Sequence, residues 1–130
     1  MRRAFRAFAA TPQASTEARR FVRDLVEKCA GDQPAFRAVA ETAALLATEF
    51  VSDALAHRAE SVHVLASCLE DRVRVEVYTT EQASHVPTGE EPETRDIRTR
   101  LLSSLADRWS TAYVGSGQLN WFEVRIATIP

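Results

Sequence analysis

The chain has 130 residues, of which 45% are hydrophobic and 26% are charged, and its formal net charge is -2. This length is enough for one domain with its own apolar core, and the balance of apolar and charged residues excludes a disordered chain. The nearly neutral charge gives no reason to expect direct binding to nucleic acid.

The first half of the chain predicts a short strand followed by two helices. Residues 4–9 alternate weakly between apolar and polar and indicate an edge strand. A Thr-Pro start signal then precedes apolar residues at intervals of three and four, which predict a helix over 11–31. The same spacing restarts and predicts one long helix over 32–57.

The second half changes to the period of strands. Alternation over 62–77 predicts a hairpin, and 79–95 lose all periodicity and indicate an acidic surface loop. Leucines spaced along 101–109 predict a third helix that ends at Trp109, and the stretch "VGSGQ" predicts a second hairpin. We expect Trp109 and Trp121 to lie in the core.

The order β-α-α-β-β-loop-α-β-β indicates the fold class. Such grouping favours an α+β two-layer sandwich, with helices on one face of a mainly antiparallel, mixed sheet. We expect one domain over 1–130.

The cysteines and the apolar runs bear on the compartment. Cys29 and Cys68 lack the C-x-x-C spacing of metal and redox sites, so we expect two buried free thiols in a reducing cytoplasm. No apolar run approaches the roughly 18 residues that span a bilayer, and the N-terminus lacks the apolar core of a signal peptide. The sequence predicts a cytoplasmic protein that does not enter a membrane.

One polar stripe stands out on the second predicted helix. Glu49, Asp53 and His57 are spaced by four residues, which places them on one side of a helix. They could hold a divalent metal ion, or they could be an inherited polar seam in which His57 pairs with Asp53. No second cluster of ligands accompanies them, which favours the seam.

Four stretches carry a resemblance to a known family: "ATEFVSDALAH" at 47–57, "DRVRVEVY" at 71–78, "LADRWST" at 105–111 and "GQLNWFEV" at 117–124. Together they resemble the anti-sigma-factor serine kinases, and within these the small single-domain regulators abundant in actinobacteria. The kinases belong to the histidine kinase/Hsp90-like ATPase superfamily. The resemblance implies that ATPase fold for nearly the whole chain.

The resemblance also implies where a nucleotide would be held. Glu49 matches the family's base, but Asp53 stands where the family has the asparagine that ligates Mg²⁺. Thr79 stands for the aspartate that accepts from the adenine amino group, and Glu81 for the glycine that makes room for the base.

The remaining pieces of the family's site are also changed. Asp96 and Arg98 stand where glycines expose backbone amides to the phosphates, and Gln118 and Leu119 replace a lysine or threonine pair. His57 is the last residue of the polar stripe, which the resemblance implies is a remnant of the family's nucleotide-facing helix. Because the scaffold residues match while the ligand residues differ, the resemblance implies a pseudo-kinase without catalytic residues, resident metal or cofactor.

Three functions follow as expectations. The first is a regulator that binds a sigma factor or an anti-sigma-factor antagonist protein by surface contact alone. The second is an active ATP-dependent serine kinase with Mg²⁺, in which Glu49 is the base and Asp53 binds the metal. The third is a sensor of another small anion, held by Thr79, Arg98 and Arg100. A homodimer through Phe5 and Phe8 of the first strand is a further expectation by analogy with the family.

Overall fold

A computed structural model describes residues 1–81 and 100–126 of the chain. The elements, in chain order, are β1 (Arg2–Ala9), α1 (Ala14–Asp32), a 3-10 helix (Pro34–Val39), α2 (Ala40–Ala56), β2 (Ala59–Cys68), β3 (Arg72–Glu81), β4 (Arg108–Val114) and β5 (Gly117–Arg125). A short helical segment over 100–105 precedes β4.

The described strands form one five-stranded sheet in the order β1-β2-β3-β5-β4. Every pairing is antiparallel. This confirms the α+β class and the antiparallel character of the sheet, and it places β1 at an edge as predicted. The mixed pairing that the sequence analysis allowed is absent from the described strands.

The core lies between the helices and one face of the sheet. Alternate side chains of β2 and β3 point to the helices and are fully buried: Val62, Val64, Ala66, Val73, Val75 and Val77. From the helices, Val22, Val26, Leu46 and Val51 meet them in the same cluster. We name this side of the sheet the covered face and the opposite side the open face.

Two helix predictions are wrong in extent. The predicted helix over 32–57 is divided, because Pro34 opens a 3-10 helix that ends at Val39 before α2 begins. The third helix ends at Leu105, and Trp109 lies on β4. β3 also runs to Glu81, so the irregular loop begins later than predicted, and 82–95 lie outside the described residues.

The two tryptophans of the last hairpin are not in the core, which corrects the prediction for Trp109 and Trp121. Trp109 is 37% exposed on the outer strand. Trp121 is half-buried on the open face, where the Arg74 guanidinium lies 4.2 Å from its ring centroid. Along β5 the side chains alternate between the faces, and Phe122 and Val124 point to the covered face and are buried.

The two cysteines form a disulfide, so the expectation of free thiols is wrong. Cys29 near the end of α1 and Cys68 at the end of β2 are bonded, with their Cα atoms 6.6 Å apart. The sequence separates them by 39 residues, and only the packing of α1 on the sheet brings them together. The bond links the helical layer to the sheet.

Phe8 cannot serve a dimer surface as expected. It is 4% exposed and packs edge-on against Phe21 of α1, with ring centroids 5.9 Å apart. Phe5, 63% exposed, points to the open face. None of the helices in the described part of the chain is long and apolar enough to cross a membrane.

Candidate functional site

The polar stripe lies at the C-terminal end of α2, where the helix leaves the core. Ala54 and Val51 between the polar positions are buried and hold this end of α2 on the sheet. Glu49 is exposed, whereas Asp53 and His57 are half-buried. The predicted helix is confirmed along the stripe, with His57 as its C-terminal cap.

Asp53 and His57 are engaged with each other. His57 Nδ1 lies 2.8 Å from the backbone carbonyl oxygen of Asp53 and 3.4 Å from Oδ1 of the same residue. The backbone N–H of His57 also donates to the Asp53 carbonyl at 3.1 Å. Helix ends leave carbonyl oxygens without partners inside the helix, and His57 supplies donors there. The predicted pairing of His57 with Asp53 is confirmed.

The end of α2 is a sharp turn into β2. Arg58 follows His57 with a positive φ of 58°, a conformation that costs free energy in residues other than glycine. Its N–H donates to the Leu55 carbonyl at 3.2 Å. The contacts of His57 therefore help to hold a strained chain reversal, which is a structural task.

Glu49 belongs to a different environment. It lines a cavity of about 450 Å³ between α2 and the helical segment 100–105. Arg100, Leu101, Ser104 and Leu105 form the other wall. Asp53 and His57 are not among the described residues that line this cavity, so the stripe does not converge on one site.

The walls of this cavity are poorly suited to a triphosphate. Phosphate groups are held by exposed backbone amides and by converging cations. The described wall offers one cation, Arg100, and one carboxylate, Glu49, beside two leucines. The helical segment itself is anchored in the core through Leu102, which is 3% exposed.

The other predicted site residues that the structure describes are not among those that line the Glu49 cavity. Thr79 is 4% exposed on the covered face of β3, with Val62 on one side and Gln118 on the other. Leu119 lies on the open face of β5, opposite Tyr78. Asp96 and Arg98 lie outside the described residues, and so does the side chain of Glu81.

Metal binding is one interpretation of the stripe formed by Glu49, Asp53 and His57. Within residues 1–81 and 100–126, no group of three or more His, Cys, Asp or Glu side chains is placed to hold a metal ion. Glu49 lies on the cavity, whereas Asp53 and His57 close the helix.

A charged cluster that no sequence pattern predicts lies on the open face. The side chain of Glu123 is 5% exposed, and its carboxylate lies 3.0 Å from Arg74, 3.3 Å from Arg72 and 3.7 Å from Arg108. Mainly the charge of Glu123 raises the pKa of Arg72 above its ordinary value. Arg72 and Arg74 of the stretch "DRVRVEVY" therefore bind a buried carboxylate.

This cluster could have been found only from the register of the sheet. Alternation along β5 puts Glu123 on the face opposite Phe122, but the sequence does not say which strand lies beside it. In the structure Glu123 faces Arg74 on one side and Arg108 on the other. The neighbour Arg74 is set by the pairing of β3 with β5, which are distant along the chain, whereas Arg108 lies on β4 of the same hairpin.

A scan against protein-family models found no match for this chain, and a search of curated proteins found none either.

Proposed function

We propose that the protein is an anti-sigma-factor-like regulator that acts by binding another protein and does not use ATP. Its partner in this proposal is a sigma factor or the antagonist of an anti-sigma factor. The proposal includes the ATPase-like origin of the fold and a cytoplasmic location. It rests on the sequence resemblance, and the α+β architecture with helices on one sheet face is consistent with it.

The observation that carries the loss of nucleotide binding is the division of the stripe. A kinase of this kind needs its base and its metal ligand directed at the same phosphate group. Here Glu49 lines the cavity, while Asp53 is paired with His57 at the end of α2. Asp53 adds a negative charge where the family has an asparagine, which weakens nucleotide binding further. Thr79, at the family's adenine position, is buried and weakens it as well.

Calorimetric titration with Mg²⁺-ATP tests this part of the proposal. We expect no binding heat and no rise in melting temperature at about 1 mM nucleotide, because each missing phosphate or base contact removes on the order of 1–3 kcal/mol. Micromolar binding that is lost in Glu49→Ala and in Asp53→Ala would instead establish the active kinase. Ser104→Ala, on the same cavity wall but without charge, is the matched control.

The small-anion sensor is tested in the same instrument. Arg100 gives the cavity one cation, which is the observation in favour of this second function. Inorganic phosphate is the probe, and binding that is lost in Arg100→Gln would favour the sensor. Glu49 on the facing wall opposes it, so we expect no binding of phosphate.

The binding activity requires its own measurement. We expect at least one purified sigma factor or antagonist from the source organism to bind the protein at micromolar or lower concentration in the absence of nucleotide. Surface plasmon resonance with and without Mg²⁺-ATP measures this. Binding that occurs only with nucleotide would contradict the proposal, and so would no binding to any member of the two classes.

A further inference from the structure

The outer strand β4 has one edge that no described strand pairs with. β4 is the last strand in the order of the sheet and pairs only with β5 among the described strands. All seven of its residues are exposed. Three large hydrophobic residues, Trp109, Tyr113 and Val114, are 37%, 80% and 51% exposed.

The hairpin fixes which backbone groups point away from β5. Val114 pairs with Gly117, so the loop consists of Gly115 and Ser116, and Gly115 has a φ of +60°. A two-residue loop of this kind closes on a hydrogen-bonded pair, and hydrogen-bonded and non-hydrogen-bonded pairs then alternate along the ladder. The N–H and C=O groups of Trp109, Thr111 and Tyr113 therefore point to the free edge.

The same three residues make the edge complementary to itself. Thr111 is the middle residue of β4, and the aromatic residues lie two positions before and two positions after it. In an antiparallel pairing of two copies about Thr111, the two threonines face each other and each Trp109 faces the second copy's Tyr113. Aromatic pairs and Thr–Thr pairs both stabilise antiparallel strands when they lie directly opposite.

The charges also permit this pairing. The only charged residue of β4 is Arg108, which would face the second copy's Val114, so no like charges are opposed. Between Trp109 and Tyr113 the edge has no lysine, proline or inward-pointing charge, the devices by which proteins keep edge strands single.

We propose that β4 pairs with β4 of a second copy and joins two five-stranded sheets into one of ten strands. The interface is isologous, as a two-fold dimer requires. It does not depend on the proposed regulatory function, and it uses the edge opposite to β1. A single strand pair with two aromatic contacts is a small interface, so the dimer is weak, with a Kd on the order of 10–100 µM.

Light scattering after size-exclusion chromatography tests the proposal across about 1 µM to 1 mM protein, a range that brackets such a Kd. We expect the mass to rise from that of a monomer to that of a dimer. Tyr113→Pro should weaken association at least about tenfold, because it removes an outward N–H from each copy and spares the bonds to β5. Tyr113→Phe is the matched control and should associate like the original chain.

A second variant guards against a folding defect in the first. Thr111→Lys brings two ammonium groups together at the centre of the pairing and should also abolish the dimer, whereas Ser103→Lys, on the exposed side of the segment 100–105, should not. Far-ultraviolet circular dichroism identifies which variants are folded. A monomer mass up to about 1 mM would overturn the proposal. A dimer that persists in Tyr113→Pro and Thr111→Lys, when both are folded, would also overturn it. The same conclusion would follow if Phe5→Lys, on the β1 side, lost the dimer while those two variants kept it.

Discussion

The two hairpins of the sheet have similar alternation and opposite environments. In the middle of β2 and β3, alternate residues over 62–66 and 73–77 are valines or alanines buried beneath the helices. In β4 and β5, the inner strand buries Phe122 completely, but the outer strand buries nothing. The comparison teaches that a strand's own pattern sets which side chains share a face. Whether that face is buried depends on how far the helical layer extends over the sheet.

The largest expected difference between the two environments comes from Phe122 and Tyr113. Phe122→Ala removes a fully buried ring that stacks on Phe50 at a centroid distance of 5.8 Å. We expect it to lower the free energy of unfolding by about 3–5 kcal/mol, since it removes apolar contacts and leaves a cavity. Tyr113→Ala, on an 80% exposed residue, should change it by less than about 0.5 kcal/mol.

Urea denaturation of both variants at low micromolar concentration checks this contrast while keeping association small. A loss above about 1 kcal/mol in Tyr113→Ala would mean that β4 is covered in solution, so the contrast between the hairpins would not hold.

Reduction of the disulfide gives the next largest expected effect, because the bond joins α1 to β2 in the part of the sheet that the helices cover. A cross-link that closes a loop of this length, with 39 residues of separation, stabilises a fold by about 2–4 kcal/mol in the chain-entropy model. Reduction should lower the free energy of unfolding by this amount, as measured by urea denaturation with and without dithiothreitol.

Two controls sharpen the disulfide experiment. The variant carrying Cys29→Ser and Cys68→Ser should be insensitive to dithiothreitol, and thiol titration of the unreduced chain should find no free thiol. Two titratable thiols in protein purified without reductant would contradict the pairing. Because the bond lies on the β1 side of the sheet, reduction of the folded protein should leave association through β4 unchanged.

Much of the fold could be predicted from the sequence, because periodicity reports local geometry. The positions of α1 and both hairpins follow from spacing alone, and so does the burial of Phe122. Spacing could not show that Cys29 meets Cys68, or that Glu123 meets Arg72, because those contacts depend on strand order and on the packing of α1. Four-residue spacing from Leu105 continues the leucine pattern and predicts a helix at Trp109, whereas the chain leaves the helix at Ala106.

The candidate site was predictable only in part. The pairing of Asp53 with His57 follows from helical spacing, and the structure has it. The separation of Glu49 from that pair depends on where the segment 100–105 packs, which no local pattern encodes. The sequence predicts a loop from Thr79, but Thr79 lies in a strand, because β-branched residues continue the pattern of β3 beyond Tyr78.

The smallest of the predicted losses in stability concerns Gly117, which pairs with β3 of one hairpin and with β4 of the other. Gly117 begins β5 opposite Thr80, and a Cβ placed on it would lie 2.6 Å from both the Thr79 carbonyl oxygen and the Tyr78 hydroxyl. The Tyr78 ring crosses this position, and its hydroxyl lies 3.5 Å from the Val114 carbonyl oxygen. Gly117→Ala must therefore displace the Tyr78 ring or the β3 backbone, and we expect a loss of about 1–3 kcal/mol.

Gly31 provides the matched control for that substitution. A Cβ on Gly31 meets no atom within 4 Å, and the residue lies in α1, where alanine is favoured over glycine by up to about 1 kcal/mol. Gly31→Ala should therefore be neutral or stabilising in urea denaturation. Equal effects of the two substitutions would show that Tyr78 moves freely, and the position of β4 would then not depend on β3. A selective loss in Gly117→Ala, accompanied by weaker association through β4, would show that the covered hairpin positions the exposed one.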